Sequence, residues 1–141
     1  KDIYDVLNSI FTQAIEENLR DVAEGGSFYE EYIKAASLLV QYRDVVIHVY
    51  NSKNRDIVTN YLERLTAEIV RGYIARKSEG QNISDKDLEF ISYFYSYAII
   101  GSTYKWIESG MKADFKHFIG KIADSIDATL PVMISKAGKA D

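Results

Sequence analysis

The sequence predicts an all-α fold, a single helical domain of about five to six helices. Three observations carry this. Apolar residues recur at helical spacing in one stretch after another. Several of these stretches open on a capping residue and close on glycine. The β-branched run Val45-Val46-Ile47-His48-Val49 is a strand by propensity, but no second strand is present to pair with it, so it reads as helix.

Taken in order, Ile3, Leu7, Ile10, Phe11, Ala14 and Val22 make an amphipathic helix from Asp2 to about Glu24, which Gly25 and Gly26 end. Ser27 with Glu30 reads as a capping box, and Phe28, Tyr32, Ala35, Ala36, Leu39 and Val46 continue a buried stripe to Tyr50. The polar run from Gln41 to Asp44 is expected to break that stretch into a long helix and a short one. After the loop Asn51-Ser52-Lys53-Asn54, a third major helix runs to about Ser78 on Ile57, Val58, Tyr61, Leu62, Leu65, Ile69 and Ile74.

Ser84 and Asp87 then signal the helix from Asp85 to Ser109, about 37 Å long at roughly 1.5 Å per residue, closed by Gly110. Asp114 caps the last helix, whose seam is Phe115, Phe118, Ile119, Ile122, Ile126, Leu130 and Met133. Pro131 kinks that helix or marks its last turn, and the tail from Ser135 is expected to fray.

The stretch from Phe90 to Met111 organises the rest. Phe90, Tyr93, Tyr97, Ile100, Tyr104 and Ile107 fall on one face; Ile91, Phe94, Tyr95, Ala98, Ser102 and Trp106 fall on the other. A helix apolar on both faces packs inside the domain with one and meets something else with the second. Its serines, tyrosines, Thr103 and Lys105 argue against a membrane span, which leaves a partner subunit.

With 141 residues, 47% of them hydrophobic, the chain is long enough to bury its own core. The absence of cysteine excludes disulfide and thiolate chemistry and favours a reducing, cytoplasmic setting. The first residues are charged and amphipathic, unlike a signal peptide. The first is not Met and the pattern is helical from the outset, so a piece of a longer chain is expected. Seventeen basic residues against 21 acidic ones, with no dense Lys/Arg cluster, argue against nucleic-acid binding by this segment. Its 11 tyrosines suit interfaces and ligand cavities as well as partly wet core.

Catalytic and metal chemistry find little purchase. The two histidines lie on different helices outside any metal-spacing motif: His117 suits a surface or capping role, and His48, inside an apolar run, a core or pocket-wall role. Glu16 with Glu17 and Glu30 with Glu31 point about 100° apart on a helix and form no acid/base pair. Gly25-Gly26 lacks the Lys and Ser or Thr of a phosphate loop. No catalytic residue, metal ligand or cofactor is assigned.

Residues Tyr97 to Lys112, with Gly101, Trp106, Glu108, Gly110 and Met111, resemble the ending of the penultimate helix in one branch of TetR-type transcriptional regulators. Residues Tyr42 to Asn51, with Arg43 and Asp44, resemble the short helix of that branch. The order of elements resembles the C-terminal domain of these proteins over all 141 residues. Where the branch often opens its last helix with Ser-Pro-Glu, this chain has Ala113-Asp114-Phe115, which keeps the cap.

The resemblance implies a regulatory half that binds an unidentified small effector among its helices and forms a homodimer through the last two, as a four-helix bundle. DNA would be held only by a helix-turn-helix domain of roughly fifty residues preceding the first helix. The effector pocket is expected at Phe11, Ile15, Tyr32, Leu39, Tyr61, Leu65, Phe90, Phe94 and Tyr97, each placed on an inward stripe. The dimer interface is expected at Ile91, Tyr95, Ser102, Trp106, Phe118, Ile119, Ile122 and Ile126. The alternatives are a constitutive helical dimerisation or protein-interaction module with no effector, and an unrelated all-helical enzyme.

Overall fold

The structure, a computed structural model, describes residues 2–21 and 26–139. Among them are six helices: α1 (Ile3–Asp21), α2 (Phe28–Gln41), α3 (Arg43–Tyr50), α4 (Asp56–Lys77), α5 (Asp85–Glu108) and α6 (Phe115–Lys139). The expected continuation of the first helix through Val22 to Glu24, and its stop at Gly25, lie outside the described residues.

Side-chain caps start the helices where the sequence offers them. Ser27 Oγ accepts from the Glu30 amide at 3.1 Å, Ser84 Oγ from the Asp87 amide at 3.1 Å, and Asp114 Oδ2 from the His117 amide at 3.0 Å. The break between α2 and α3 is a single residue, Tyr42, at φ −110° and ψ 35°. Its amide still bonds Leu38 and its carbonyl serves Val46, so the chain turns without losing its hydrogen bonds. Pro131 lies within α6, and helix continues to Lys139, so residues 135–139 of the expected fraying tail are helical.

Helix α4 is the central post: α1, α2, α3 and α5 all pack on it, and its pairing with α5 is the most extensive in the fold. Helix α6 lies across α2 and α5. Leu7, Phe11 and Ile15 fix α1 to this frame, each at most 5% exposed. The side-chain hydrogen bonds described for α1 run within it or from Asp2 just before it, so among the described residues apolar packing is what ties it to its neighbours.

The two faces of α5 differ from the expected ones. Its inner surface is Ile91, Ser92, Tyr95, Ser96, Ile99, Ile100, Thr103, Trp106 and Ile107, drawn from both expected rows. Small hydroxyl residues let α5 approach α4 closely and satisfy themselves on their own helix: Ser92 donates to Leu88 O at 2.7 Å and Thr103 to Ile99 O at 2.8 Å. The large rings Phe90, Tyr93, Phe94 and Tyr97 are turned outward, where they contact one another with centroids 5.2 to 6.2 Å apart. Among the described residues no helix is long and apolar enough to cross a membrane.

The two stretches that carry the family resemblance meet in space. Gly110 (φ 86°) and Met111 (φ 55°) end α5 in a left-handed turn, with the Met111 amide on Trp106 O at 2.9 Å. Trp106 donates from Nε1 to Ala113 O at 2.9 Å and stacks on Phe118 at 5.3 Å, which sets the start of α6. From α3, Arg43 donates to Gly110 O at 2.7 Å and the Tyr50 hydroxyl to Glu108 Oε2 at 2.6 Å. Both ends of the short helix are thus pinned to the end of α5.

Candidate functional site

At the junction of α2, α3, α4 and α5 the core is lined with hydroxyls. Tyr32, with no exposed surface, shares a 3.0 Å hydrogen bond with Thr66, also fully buried, and lies within reach of the Thr103 hydroxyl. Tyr61 donates to Ala35 O at 3.1 Å, and Phe11 from α1 stacks on its ring with centroids 4.0 Å apart and planes 13° from parallel. Tyr50 and Tyr104 lie beside this group, their centroids 5.8 Å apart.

Burial pushes the Tyr32 and Tyr61 hydroxyls up from the ordinary tyrosine range. It pushes Tyr50 up to about 12, helped by the Glu108 carboxylate and opposed by Arg55, whose guanidinium lies 4.3 Å from the Tyr50 ring. Tyr104 is also pushed up to about 12, by burial and then by Glu63. The cluster is therefore neutral at physiological pH, able to donate and accept hydrogen bonds but without charge of its own.

Of the expected pocket residues, Phe11, Ile15, Tyr32, Leu39, Tyr61 and Leu65 are buried in one continuous core. Phe90, Phe94 and Tyr97 do not join them: they are 46%, 52% and 67% exposed, which corrects their inward placement. A stripe pattern alone could not orient α5, because its aromatic and its small-residue faces both satisfy helical spacing. His48 is likewise exposed, its ring against Tyr4 at 6.3 Å, rather than a core or pocket-wall residue. His117 is exposed in the first turn of α6, where its amide takes the Asp114 cap.

Among the described residues, three surface clefts stand out, and none of these three is lined by the buried pocket residues. One of about 260 Å³ lies between α4 and α5, with Glu63, Arg71, Glu89, Tyr93 and Tyr97 on its walls. A second, of about 600 Å³, lies between the end of α4 and α6, around Tyr73, Lys77, Asp127 and Pro131. The third is an apolar groove of about 430 Å³ between α5 and α6, lined by Phe94, Ala98, Ser102, Phe118, Ile122 and Ile126 among others.

That groove bears on the expected dimer residues. Ile91, Tyr95, Trp106, Ile119 and Ile126 are buried within the chain, and Trp106 stacks on Phe118 of α6. Tyr95 shares a 2.6 Å hydrogen bond with Thr129 across the same seam. Ser102 is exposed and Phe118 and Ile122 are half-buried, so these three remain within reach of a partner. Phe94 and Ala98, absent from the expected dimer list, line this groove, and Thr66, Thr103, Tyr104 and Tyr50, absent from the expected pocket list, pack in or against the core. The threonines carried a signal: each is a polar position inside an otherwise apolar helical stripe, and such a position needs a hydrogen-bonding partner.

A family model described as a transcriptional regulator C-terminal region, of the TetR type, matches residues 26–128, from the residue before the Ser27 cap to well inside α6. No curated protein and no solved structure matches the chain. The match spans well over half the sequence and takes in the tyrosine core, the α3–α5 clamp and the apolar groove. This chain belongs to the C-terminal region family of TetR-type transcriptional regulators.

Proposed function

We propose that the chain is the effector-binding and dimerisation half of a cytoplasmic TetR-like regulator, and that a small molecule entering the core beneath α1 shifts the DNA affinity of helix-turn-helix heads. The observation that carries this is the neutral hydroxyl cluster of Tyr32, Thr66, Thr103 and Tyr104 beside Tyr61, whose ring is covered by Phe11 of α1, a helix that its described residues tie to the rest by apolar packing. A ligand ring displacing Phe11 from Tyr61 would move α1, the helix next to the heads in this family. A coupling of about 1 to 3 kcal/mol is ordinary for such a switch.

The dimer in this reading pairs the α5–α6 grooves of two copies around Phe94, Ser102, Phe118 and Ile122, with the exposed aromatic row of α5 alongside. A second reading, a constitutive dimerisation module, is favoured by the filled core: Phe11 already occupies the face of Tyr61.

Light scattering and a thermal-shift screen test both parts. The chain should scatter at twice its 16.1 kDa and Ile122→Asp at the single mass; a wild-type mass of 16.1 kDa at all concentrations removes the dimer. A bound effector at a hundredfold its dissociation constant should add about 2.7 kcal/mol of stability. A dimer that no compound stabilises supports the constitutive module instead.

A further inference from the structure

The chemistry of the core restricts what it can hold. Among the described residues the buried polar side chains are Thr66, Ser92, Ser96 and Thr103, together with the tyrosine hydroxyls; no Lys, Arg or His is buried. An anion taken into this space leaves water and meets no positive charge, which costs several kcal/mol for a carboxylate-sized ion. Of the carboxylates that act on these tyrosines, Glu108 accepts from Tyr50, where Arg55 offsets it, and Glu63 is exposed on the wall of the α4–α5 cleft, which Arg71 also lines.

The walls are aromatic. Tyr61 and Phe11 are stacked at 4.0 Å, and Phe28 stacks on Tyr32 at 5.4 Å, so a flat ring replacing that of Phe11 recovers the contact it breaks. Such faces also attract cations.

We infer that the effector of this core is an uncharged or positively charged aromatic molecule with a hydrogen-bonding polar group, and that carboxylates and phosphates are excluded. This rests on the proposed effector-binding reading and narrows it to a chemical class. The ring lies against Tyr61, the polar group meets the hydroxyls of Tyr32, Thr66 and Thr103, and a positive charge, where present, gains from the aromatic faces around it.

The test uses 2-naphthol, 2-naphthylmethylammonium and 2-naphthoate, which share a ring system and differ in charge, titrated calorimetrically into the wild-type chain at neutral pH. The first two should bind, with naphthoate weaker by about tenfold or more. Phe11→Ala, which vacates the face of Tyr61, should tighten naphthol binding; if that variant does not fold, Phe11→Leu gives the same direction with a smaller void.

Naphthoate binding as tightly as the others overturns the charge class and leaves the effector core standing. Binding that is unchanged by the Phe11 variants and abolished by Tyr97→Ala places the ligand in the outer α4–α5 cleft and overturns the site. No binding by any of the three overturns both the class and the reading on which it rests.

Discussion

The hydrogen bond between Tyr32 and Thr66 offers a direct measure of how the tyrosine core is held. Both side chains are fully buried and their oxygens are 3.0 Å apart. Tyr32→Phe removes one partner and leaves the Thr66 hydroxyl without its cross-helix bond in a space closed to water. The cost should be about 1 to 3 kcal/mol, the penalty of an unsatisfied buried group rather than the smaller net value of a bond. Thr66→Val, nearly the same shape, should cost a similar amount by orphaning the tyrosine hydroxyl, moderated by its second partner Thr103. In Tyr32→Phe/Thr66→Val both polar groups are gone, so the double variant should lose about as much as one single variant and not the sum. The assay is urea unfolding at fixed protein concentration, followed by circular dichroism, with the slope m checked for constancy. Additivity of the singles within about 0.5 kcal/mol would refute the claim that these hydroxyls are coupled.

Two further predictions concern pH and backbone. Tyr50, Tyr73 and Tyr104 titrate near 12 in the folded chain against 10.0 for a free tyrosine, so above pH 10 the unfolded chain sheds protons that the folded one keeps. Stability should hold steady up to pH 10 and fall from there towards 12, by well under the roughly 1.4 kcal/mol per pH unit that a fully buried tyrosine would give, because solvent screens these hydroxyls, and Tyr50→Phe should flatten the fall. A urea midpoint unchanged between pH 10 and 12 contradicts this. Gly110→Ala places a side chain at φ 86° where there is room for the methyl group but not for the conformation, and should cost about 1 to 2 kcal/mol in the same unfolding assay; no loss would mean that the turn is not strained.

By itself the sequence determined the helices, because the signals are local. Ser27, Ser84 and Asp114 cap the nearest free amides, Gly110 permits the left-handed turn, and the apolar stripes at Leu7, Phe11 and Ile15 or at Leu62, Leu65 and Ile69 mark which side faces in. It also carried the family, since Arg43, Trp106, Glu108, Gly110 and Met111 are recognisable in one dimension. What it left open was the rotation of α5, where rings and small hydroxyl residues alternate around an almost wholly apolar helix. Only packing decided between them: Ser92, Ser96 and Thr103 admit α4 at close range, and the rings of Phe90, Tyr93, Phe94 and Tyr97 are left on the outside. The partnership of Tyr32 with Thr66, and of Arg43 with Gly110, joins residues 34 and 67 positions apart. No spacing rule reaches that far, and those contacts exist because the tertiary structure brings their helices together.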